Sequence, residues 1–358
     1  MPGRHLLPIV ALAVVMIVLQ LICTVAGVSY YLTQLTMVAY YGLVIVGLCL
    51  LMGYAGQISL GHAGFFAIGG YTAAVITTRN LVEWDGNALI GLLRRLGLVL
   101  HMVDPYGREI LHLSPWLSLA AAVLITVVLA FLIGMPVLKL RGHYLAMATL
   151  GFGMIIYRVL LGGRVFGEAD GISDVPAFAL VPGVVVDGGR DVRVLNFYLA
   201  WAALLGALAL AANLIRSRVG RALSSIHGNE EAANAMGVNT AHLKLRVFVL
   251  SAVFAAVGGV LLTHFNGGIG PSEAGVMKSV RYVAIVAVGG MSNLWGVVAW
   301  GVGLNFLSLR GYFGSYDDAV FGSILVLVML FAPEGVSRSP HVRSAAQFIR
   351  RKFTRGAA

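Results

Sequence analysis

Charged side chains are scarce in this chain, and one long stretch has none. Asp, Glu, Lys and Arg make up 11% of the 358 residues, and none of these four types occurs between Arg4 and Arg79. A soluble core does not account for such a stretch, whereas about 20 apolar residues suffice for one helical crossing of a bilayer. The stretch is long enough for about three crossings, so the composition excludes an ordinary soluble domain.

Further absences exclude most catalytic chemistry. The two cysteines, Cys23 and Cys49, lie inside apolar runs, so neither a disulfide nor a reactive thiol is predicted. The chain has no Gly-Lys pair, which excludes the phosphate-binding loop of ATPases, and it has no His-Glu-x-x-His motif or other metal-ligand spacing. We therefore predict that the chain is not an enzyme and has no catalytic residue, metal site or cofactor of its own.

The apolar runs that are present predict an all-α polytopic membrane protein with a single transmembrane domain over residues 1–358. We count ten spans, with eight as the alternative, because Gly289, Gly290, Ser292 and Asn293 interrupt the eighth and ninth runs. The first run is too long for the core of a signal peptide and is expected to remain as a helix. The ten runs are residues 6–28, 31–52, 56–78, 116–138, 144–162, 196–215, 245–266, 279–290, 294–310 and 317–332.

The distribution of basic residues predicts the orientation. Residues 216–244, between two apolar runs, and residues 333–358, at the end of the chain, are rich in Lys and Arg. Basic segments tend to face the cytoplasm, so both termini and the central loop are expected there, with extracytoplasmic loops at 79–115 and 163–195. Within the first of these loops, residues 88–102 have a helical apolar pattern suited to a membrane surface or a binding protein, with a plain spacer as the alternative. The net charge of +10 follows from this topology and from contact with anionic lipid, and it does not indicate nucleic-acid binding.

The positions of the Asp and Glu residues indicate whether protons or sodium ions could drive transport by this chain alone. None of the fifteen carboxylates lies in the middle of a predicted span. Proton- and sodium-driven carriers commonly use buried carboxylates for coupling, so a stand-alone secondary carrier or channel is disfavoured, although backbone carbonyls at broken helices can also hold sodium. Polar, glycine-rich spans likewise disfavour a membrane scaffold that moves no solute. Both alternatives remain open at this point.

A few polar side chains within the apolar runs are candidates for a translocation path. Polar groups without partners are costly in lipid, so such side chains either line a path or bind a neighbouring helix. The candidates are Gln57, Ser59, His62, Thr149 and Asn293.

Five blocks of sequence, in order, resemble the permease subunits of branched-chain amino acid ABC importers. The blocks are residues 53–74 (GYAGQISLGHAGFFAIGGYTAA), 140–153 (LRGHYLAMATLGFG), 230–239 (EEAANAMGVN), 288–301 (VGGMSNLWGVVAWG) and 331–336 (FAPEGV). Their order after a long first helix is similar to the LivM-type member of the permease pair in the LivHM family.

The resemblance implies a bacterial inner-membrane permease of about ten helices that provides half of a translocation path. It also implies a second homologous permease as heterodimer partner, two cytosolic subunits that hydrolyse ATP, and a soluble substrate-binding protein. The expected substrate is a branched-chain or other apolar amino acid, and urea or a short amide is the alternative.

The third block resembles the EAA-type coupling helix that ABC permeases insert into a cleft of the ATPase. Small alanines keep one side of such a helix slim, a methionine offers an adaptable apolar contact, and a glycine can end the helix in the left-handed conformation. An ordinary solvated loop is the alternative. The residues expected to couple to the ATPase are Glu230, Glu231, Ala232, Ala233, Met236 and Gly237.

Overall fold

Helices dominate the computed structural model, which describes residues 7–80, 82, 91, 94, 99–103, 109–140, 142–181 and 183–331. Helix α2 continues directly into a π-helical turn, Cys49–Tyr54. The principal helices in the described part of the chain are α1 Leu7–Val25, α2 Tyr30–Leu48, α3 His62–Thr78, α4 Pro115–Val137, α5 His143–Gly162, α6 Arg193–Arg216, α7 Arg218–Gly228, α8 Glu230–Ala235, α9 Thr240–Asn266, α10 Val276–Gly289, α11 Leu294–Leu309 and α12 Asp317–Phe331.

Each of the ten predicted apolar runs corresponds to one of these helices, and only the short polar helices α7 and α8 fall outside the runs. Seven helical segments are long and apolar enough to cross a membrane by length and composition, and α11 is a shorter apolar helix. Helices α3 and α10 are also short, with 17 and 14 residues. The prediction of an all-α polytopic membrane protein is confirmed.

Strands occur as three antiparallel pairs outside the long helices. The described strands are β1 Val99–Val103, β2 Glu109–Leu113, β3 Ile172–Ser173, β4 Phe178–Val181, β5 Val184–Val186 and β6 Gly268–Ile269. Strand β1 pairs with β2, β3 with β6, and β4 with β5. The β3–β6 pair ties the loop at 163–195 to the chain that follows α9. The helical pattern predicted for residues 88–102 is wrong at 99–102, where pairing with β2 favours a strand, and most of its remainder lies outside the described residues.

The centre of the protein is formed by α2, α3 and α9. Nearly all of α2 is buried, whereas α1 and α12 are mostly exposed, as expected of helices that face lipid or another subunit. The α3–α9 contact is close because glycines face the opposite backbone: a Cβ on Gly69 would overlap the carbonyl of Ala256, and one on Gly259 would overlap that of Phe66. Small residues of this kind allow membrane helices to approach closely.

Several boundaries differ from those predicted. The interruption at 289–293 is confirmed, since α10 ends at Gly289 and α11 begins at Leu294. The run at 56–78 is not helical throughout, because α3 begins only at His62 and the preceding residues form an irregular segment. Helix α9 begins at Thr240, earlier than predicted, because the side chain of Asn239 caps it. The tail at 333–358 lies outside the described residues.

Candidate functional site

Residues 55–61 form an irregular segment between the π-helical turn and α3, which we call the α2–α3 break. Backbone amides of the break and of the first turn of α3 donate to side chains on other helices. The amide of Leu60 donates to Thr149 Oγ1 at 3.0 Å, and the amide of Ala63, in the first turn of α3, donates to Ser279 Oγ at 3.3 Å. Non-helical backbone is tolerated at membrane depth only where protein or water covers it. Helices α5 and α10 therefore supply hydrogen-bond acceptors for the backbone at this break and at the first turn of α3.

His62 joins the break to α9 through a chain of hydrogen bonds. Its Nδ1 lies 3.1 Å from Ser59 Oγ, and its Nε2 lies 2.8 Å from Ser251 Oγ. The Ser251 hydroxyl donates its one proton to the carbonyl of Phe248 at 2.9 Å, so it must accept from His62. Nε2 therefore carries a proton, and Nδ1 lies within hydrogen-bond distance of Ser59.

Gln57 differs from Ser59, the other polar side chain of the break. Its side chain is only 2% exposed, and neither the oxygen nor the nitrogen of its amide has a hydrogen-bond partner among the described residues. A buried amide without partners is unfavourable by about 1–3 kcal/mol. The amide consequently retains both donor and acceptor capacity for a polar group that enters the break.

Four of the five path candidates lie in the break or contact it, and the fifth caps a helix. Ser59, His62 and Thr149 are brought together with Gln57 by α3 and α5. Asn293 instead caps α11, where its Oδ1 accepts from the amide of Gly296 at 3.2 Å. Its role in a path stays a prediction, and its observed contact is structural.

The loop that contains Asn293 packs against the π-helical turn. Ser292 Oγ donates to the carbonyl of Gly53 at 3.1 Å, and the hydroxyl of Tyr54 donates to the carbonyl of Ser292 at 2.9 Å. A Cβ on Gly53 would overlap the carbonyl of Met291, so only glycine allows this approach. Two interruptions of the helical bundle are thus in direct contact.

Helix α8 forms the predicted coupling segment together with the turn that follows it. Asn229 caps the helix, its Oδ1 accepting from the amide of Ala232 at 3.0 Å. Gly237 ends the segment with φ +83°, a left-handed conformation that favours glycine. Its amide donates to the carbonyl of Asn234 at 2.9 Å, as in a helix C-cap.

The six predicted coupling residues divide into two groups. Glu230 and Ala233 face the protein: Glu230 forms an ion pair of 2.5 Å with Lys244 of α9, and Ala233 is buried. Met236 is 85% exposed, and the remaining three residues are exposed too. Their contact with an ATPase stays a prediction, but one face of the segment is bound to α9 and the other is available to a partner. The exposed group consists of Glu231, Ala232, Met236 and Gly237.

Helix α7 connects the coupling segment to the α2–α3 break. Two of its apolar residues, Leu223 and Ile226, are buried, and Ser217 caps its start by accepting from two backbone amides. Gly56 of the break has φ +67°, and a Cβ at this position would lie 2.9 Å from Nδ1 of His227. The absence of a side chain at Gly56 therefore lets α7 approach the break.

A charged cluster at the start of α10 was not predicted. Lys278 forms an ion pair with Glu273, and Arg281 forms one with Asp317. The sequence signal was available, because two cations three residues apart at the start of an apolar helix lie on one helix face. Their acidic partners come from other segments, so their pairing was not readable from the sequence. In the described part of the chain, no group of three or more His, Cys, Asp or Glu side chains is arranged to hold a metal ion.

The family model described as branched-chain amino acid transport system / permease component matches residues 30–331. The chain belongs to this family. The LivM permease protein of the high-affinity branched-chain amino acid transport system of Salmonella typhimurium (strain LT2) is 31% identical to the permease over 322 residues, which cover 84% of this chain and 68% of that protein. The resemblance seen in the five sequence blocks is thereby confirmed.

Two further relatives extend the comparison. The LivH permease protein with the same system name in the same Salmonella strain is 24% identical over 333 residues, covering 87% of the permease and 97% of LivH. The BraD permease protein of Pseudomonas aeruginosa is 27% identical over 321 residues, with the same two coverages, 87% and 97%. No solved structure matches the permease significantly. The chain is therefore a LivM-type permease subunit of an ABC importer and a multi-pass protein of the inner membrane.

Proposed function

We propose that this permease provides half of the path of an ATP-driven importer for branched-chain or other apolar amino acids. The family match over residues 30–331 carries the proposal, and the names of the relatives support the substrate class. The comparisons do not favour urea or a short amide as substrate, nor a stand-alone carrier. The chain makes no covalent bond in this function and only moves solute.

The proposed importer has several subunits. A second, homologous permease completes the path as a heterodimer partner, which is supported by the similarity of the chain to both LivM and LivH of one system. Two cytosolic subunits hydrolyse ATP, and a soluble binding protein delivers the substrate. The chain itself needs no cofactor, because the nucleotide binds to its partners.

Coupling is proposed to begin at the exposed face of α8. An ATPase that binds Met236 and its neighbours moves α8, which is attached to α9 by the Glu230–Lys244 ion pair and by a hydrogen bond of 3.1 Å from Thr240 to Asn234. Such movement reaches the protein core only if packed elements have two discrete arrangements.

The α2–α3 break is the proposed recipient of this movement. Helix α7 contacts it at Gly56, and α9 contacts it through the hydrogen bond from His62 to Ser251. Displacement of either helix alters the surroundings of Gln57, whose amide has unused hydrogen-bonding capacity. The break is therefore the proposed polar part of the path.

The proposed orientation puts both termini and the α7–α8 region in the cytoplasm. It is supported by the basic central loop and by the path of α9, whose 27 residues lead from α8 to the opposite end of the bundle. At about 1.5 Å per residue, such a helix is long enough to cross a bilayer.

The function can be tested by reconstituting the permease in liposomes with the second permease, both ATPase subunits and the binding protein of its own system. We expect ATP-dependent uptake of leucine, isoleucine or valine. Urea and acetamide serve as comparison solutes, and a non-hydrolysable ATP analogue serves as the control for energy coupling.

Two results would contradict the proposal. Movement of solute by the permease alone, without ATPase subunits, would indicate a stand-alone carrier. ATP-driven accumulation of urea or acetamide, with no uptake of any apolar amino acid, would assign the importer to another substrate class.

A further inference from the structure

The charged cluster lies at the end of the helical bundle opposite α7 and α8. It consists of Glu273, Lys278, Arg281, Asp317 and Asp318. Glu273 belongs to the turn between α9 and α10, and the two aspartates begin α12. Charges beside apolar helices are costly and commonly mark substrate or ion pathways. The cluster therefore requires an explanation beyond helix packing.

The two cations are already bound to structural partners. Lys278 Nζ lies 2.5 Å from Glu273 Oε1 and donates to the hydroxyl of Tyr41 at 3.2 Å. Arg281 lies 2.5 Å from Asp317 Oδ2 and donates to Ser308 Oγ at 2.8 Å. These contacts join α10 to α2, α11 and α12, so Lys278 and Arg281 hold the local structure.

Not all of the hydrogen-bonding capacity of the cluster is used. Arg281 Nε and Asp317 Oδ1 are buried and have no hydrogen-bond partner among the described residues. The hydroxyl of Tyr282, on a side chain that is 1% exposed, is in the same condition. Buried donors and acceptors without partners are rare in proteins. Of these three residues, only Arg281 lines the groove beside the cluster.

A groove of about 490 Å³ opens beside this cluster, between α5, α10 and α12. This volume lies within the range of about 300–1,000 Å³ that is usual for small-molecule sites. Lys278 and Arg281 form part of its wall. Arg158 of α5 and Asp318 of α12 also line it, and both are exposed. Asp318 Oδ1 lies 3.4 Å from Arg281, but the Asp318 side chain is 57% exposed and remains accessible from the groove.

The groove also has apolar walls. Met154 and Met277 line it and are 44% and 55% exposed. Methionine side chains adapt to aliphatic groups of different shapes. The exposed guanidinium of Arg158, the accessible carboxylate of Asp318 and this apolar surface match the three parts of an apolar amino acid: its carboxylate, its ammonium group and its side chain.

We propose that this groove is a recognition site for zwitterionic apolar amino acids at the end of the path remote from the ATPases. Arg158 binds the carboxylate, Asp318 binds the ammonium group, and Met154 and Met277 contact the aliphatic side chain. The inference rests on the proposed function, since it names residues that select its substrate class. A urea or amide permease would have no use for a paired anion and cation of this kind.

The test is equilibrium binding of radiolabelled leucine to the assembled permease and ATPase complex in nanodiscs, without the binding protein. Leucinamide lacks the carboxylate charge, and 4-methylpentanoate lacks the ammonium group, so both serve as competitors. The variants are Arg158→Gln and Asp318→Asn. The matched controls are Arg164→Gln and Glu168→Gln, because this exposed pair lies at the same end of α5 and outside the groove.

Each variant should lose the preference for leucine over only one of the two analogues. Arg158→Gln should weaken leucine binding about tenfold or more and leave leucinamide nearly unchanged, because a charge-assisted contact to the carboxylate is lost. Asp318→Asn should likewise weaken leucine binding and leave the binding of 4-methylpentanoate nearly unchanged, because this analogue has no ammonium group. A purely structural role would weaken all three ligands alike, so this crossed pattern identifies direct contacts. The control variants should bind leucine as the wild type does.

Failure of the site and failure of the proposed function give different results. If the wild type takes up leucine with ATP but shows no saturable binding, or if the two variants keep their discrimination, the site is wrong and the function stands. If the full importer neither binds nor takes up apolar amino acids, the proposed function itself is wrong.

Discussion

His62 occupies a fully buried position at the start of α3, where two serines bind its ring nitrogens. Ser59 is three residues away in the sequence, whereas Ser251 comes from α9. The histidine thus connects the α2–α3 break to the helix that begins at the coupling segment. Ser251 is therefore expected to contribute to both stability and uptake.

Replacing Ser251 with alanine should leave the buried Nε2–H of His62 without an acceptor. The expected loss in the free energy of unfolding is about 1–3 kcal/mol, with reduced uptake. Ser118→Ala is the matched control, because Ser118 is also buried but donates only to the carbonyl of Pro115 in its own helix. Thermal unfolding in detergent should separate the two variants, and equal stability would argue against the hydrogen bond from His62.

The backbone conformation of Gly237 restricts which residues can replace it. Its φ of +83° disfavours side chains with a branched Cβ, although no atom would lie within 4 Å of an added Cβ. Gly237→Val should therefore distort the end of the coupling segment, at a strain of about 1–2 kcal/mol, and reduce ATP-driven uptake while the protein still reaches the membrane.

Two variants control this experiment. Gly228→Val adds the same side chain at the end of α7, where the space is also open and φ is not left-handed, and it should be tolerated. Gly237→Asn should keep most of the uptake, because asparagine adopts the left-handed conformation more readily. Normal uptake by Gly237→Val would mean that this turn does not contribute to coupling.

At the scale of secondary-structure elements, α8 and α9 are joined by an ion pair with limited solvent access. The side chains of Lys244 and Glu230 are 10% and 27% exposed. Glu230→Ala should therefore lower the free energy of unfolding by about 1–3 kcal/mol, through loss of a charge-assisted contact at a partly buried position. We also expect less uptake for each ATP hydrolysed, since α8 would be less firmly attached to α9.

A charge exchange provides the decisive comparison. The double variant Glu230→Lys and Lys244→Glu should recover part of both losses, because it restores an ion pair between the same two helices. Glu168→Ala is the matched control: its pair with Arg164 is solvent-exposed and should contribute at most about 0.5 kcal/mol. If the exchange restores neither stability nor coupling, the ion pair is not the attachment.

Elements were more predictable than their junctions. The ten apolar runs identify ten helices because a segment in lipid must bury its backbone hydrogen bonds within itself and expose apolar side chains. The start of α3 at His62 was missed because no charged residue or proline marks the interruption between Gly56 and Gly61. Strand β1 was missed because its side chains also fit a helical pattern, and pairing with β2 decides between the two.

At the scale of the whole molecule, the orientation predicts which surfaces are accessible from each side. Ser225→Cys, on α7, should react with a membrane-impermeant maleimide only from the cytoplasmic side, and Ser173→Cys, in β3, only from the opposite side. Both positions are exposed, and the native Cys23 and Cys49 are buried, so the background should be low. Labelling of both variants from the same side, in spheroplasts and inverted vesicles, would contradict the proposed topology.

The sequence by itself determined the class of protein, the number and approximate positions of the apolar helices, and the family, and it predicted the coupling segment. These properties depend on composition and on the order of residues along the chain. Lipid requires long apolar helices, and the family is identified by sequence blocks in a fixed order. It also identified Gln57, Ser59, His62 and Thr149 as unusual polar groups in apolar surroundings.

Only the tertiary structure decided how those groups are paired. It joined His62 to Ser251, attached Glu230 to Lys244 so that it faces inward, and placed Asn293 at the cap of α11. It also joined Arg281 to Asp317, although α11 lies between these two residues in the sequence. Such pairings connect residues far apart in the sequence, and their energy depends on distance and burial, which exist only after the helices have packed.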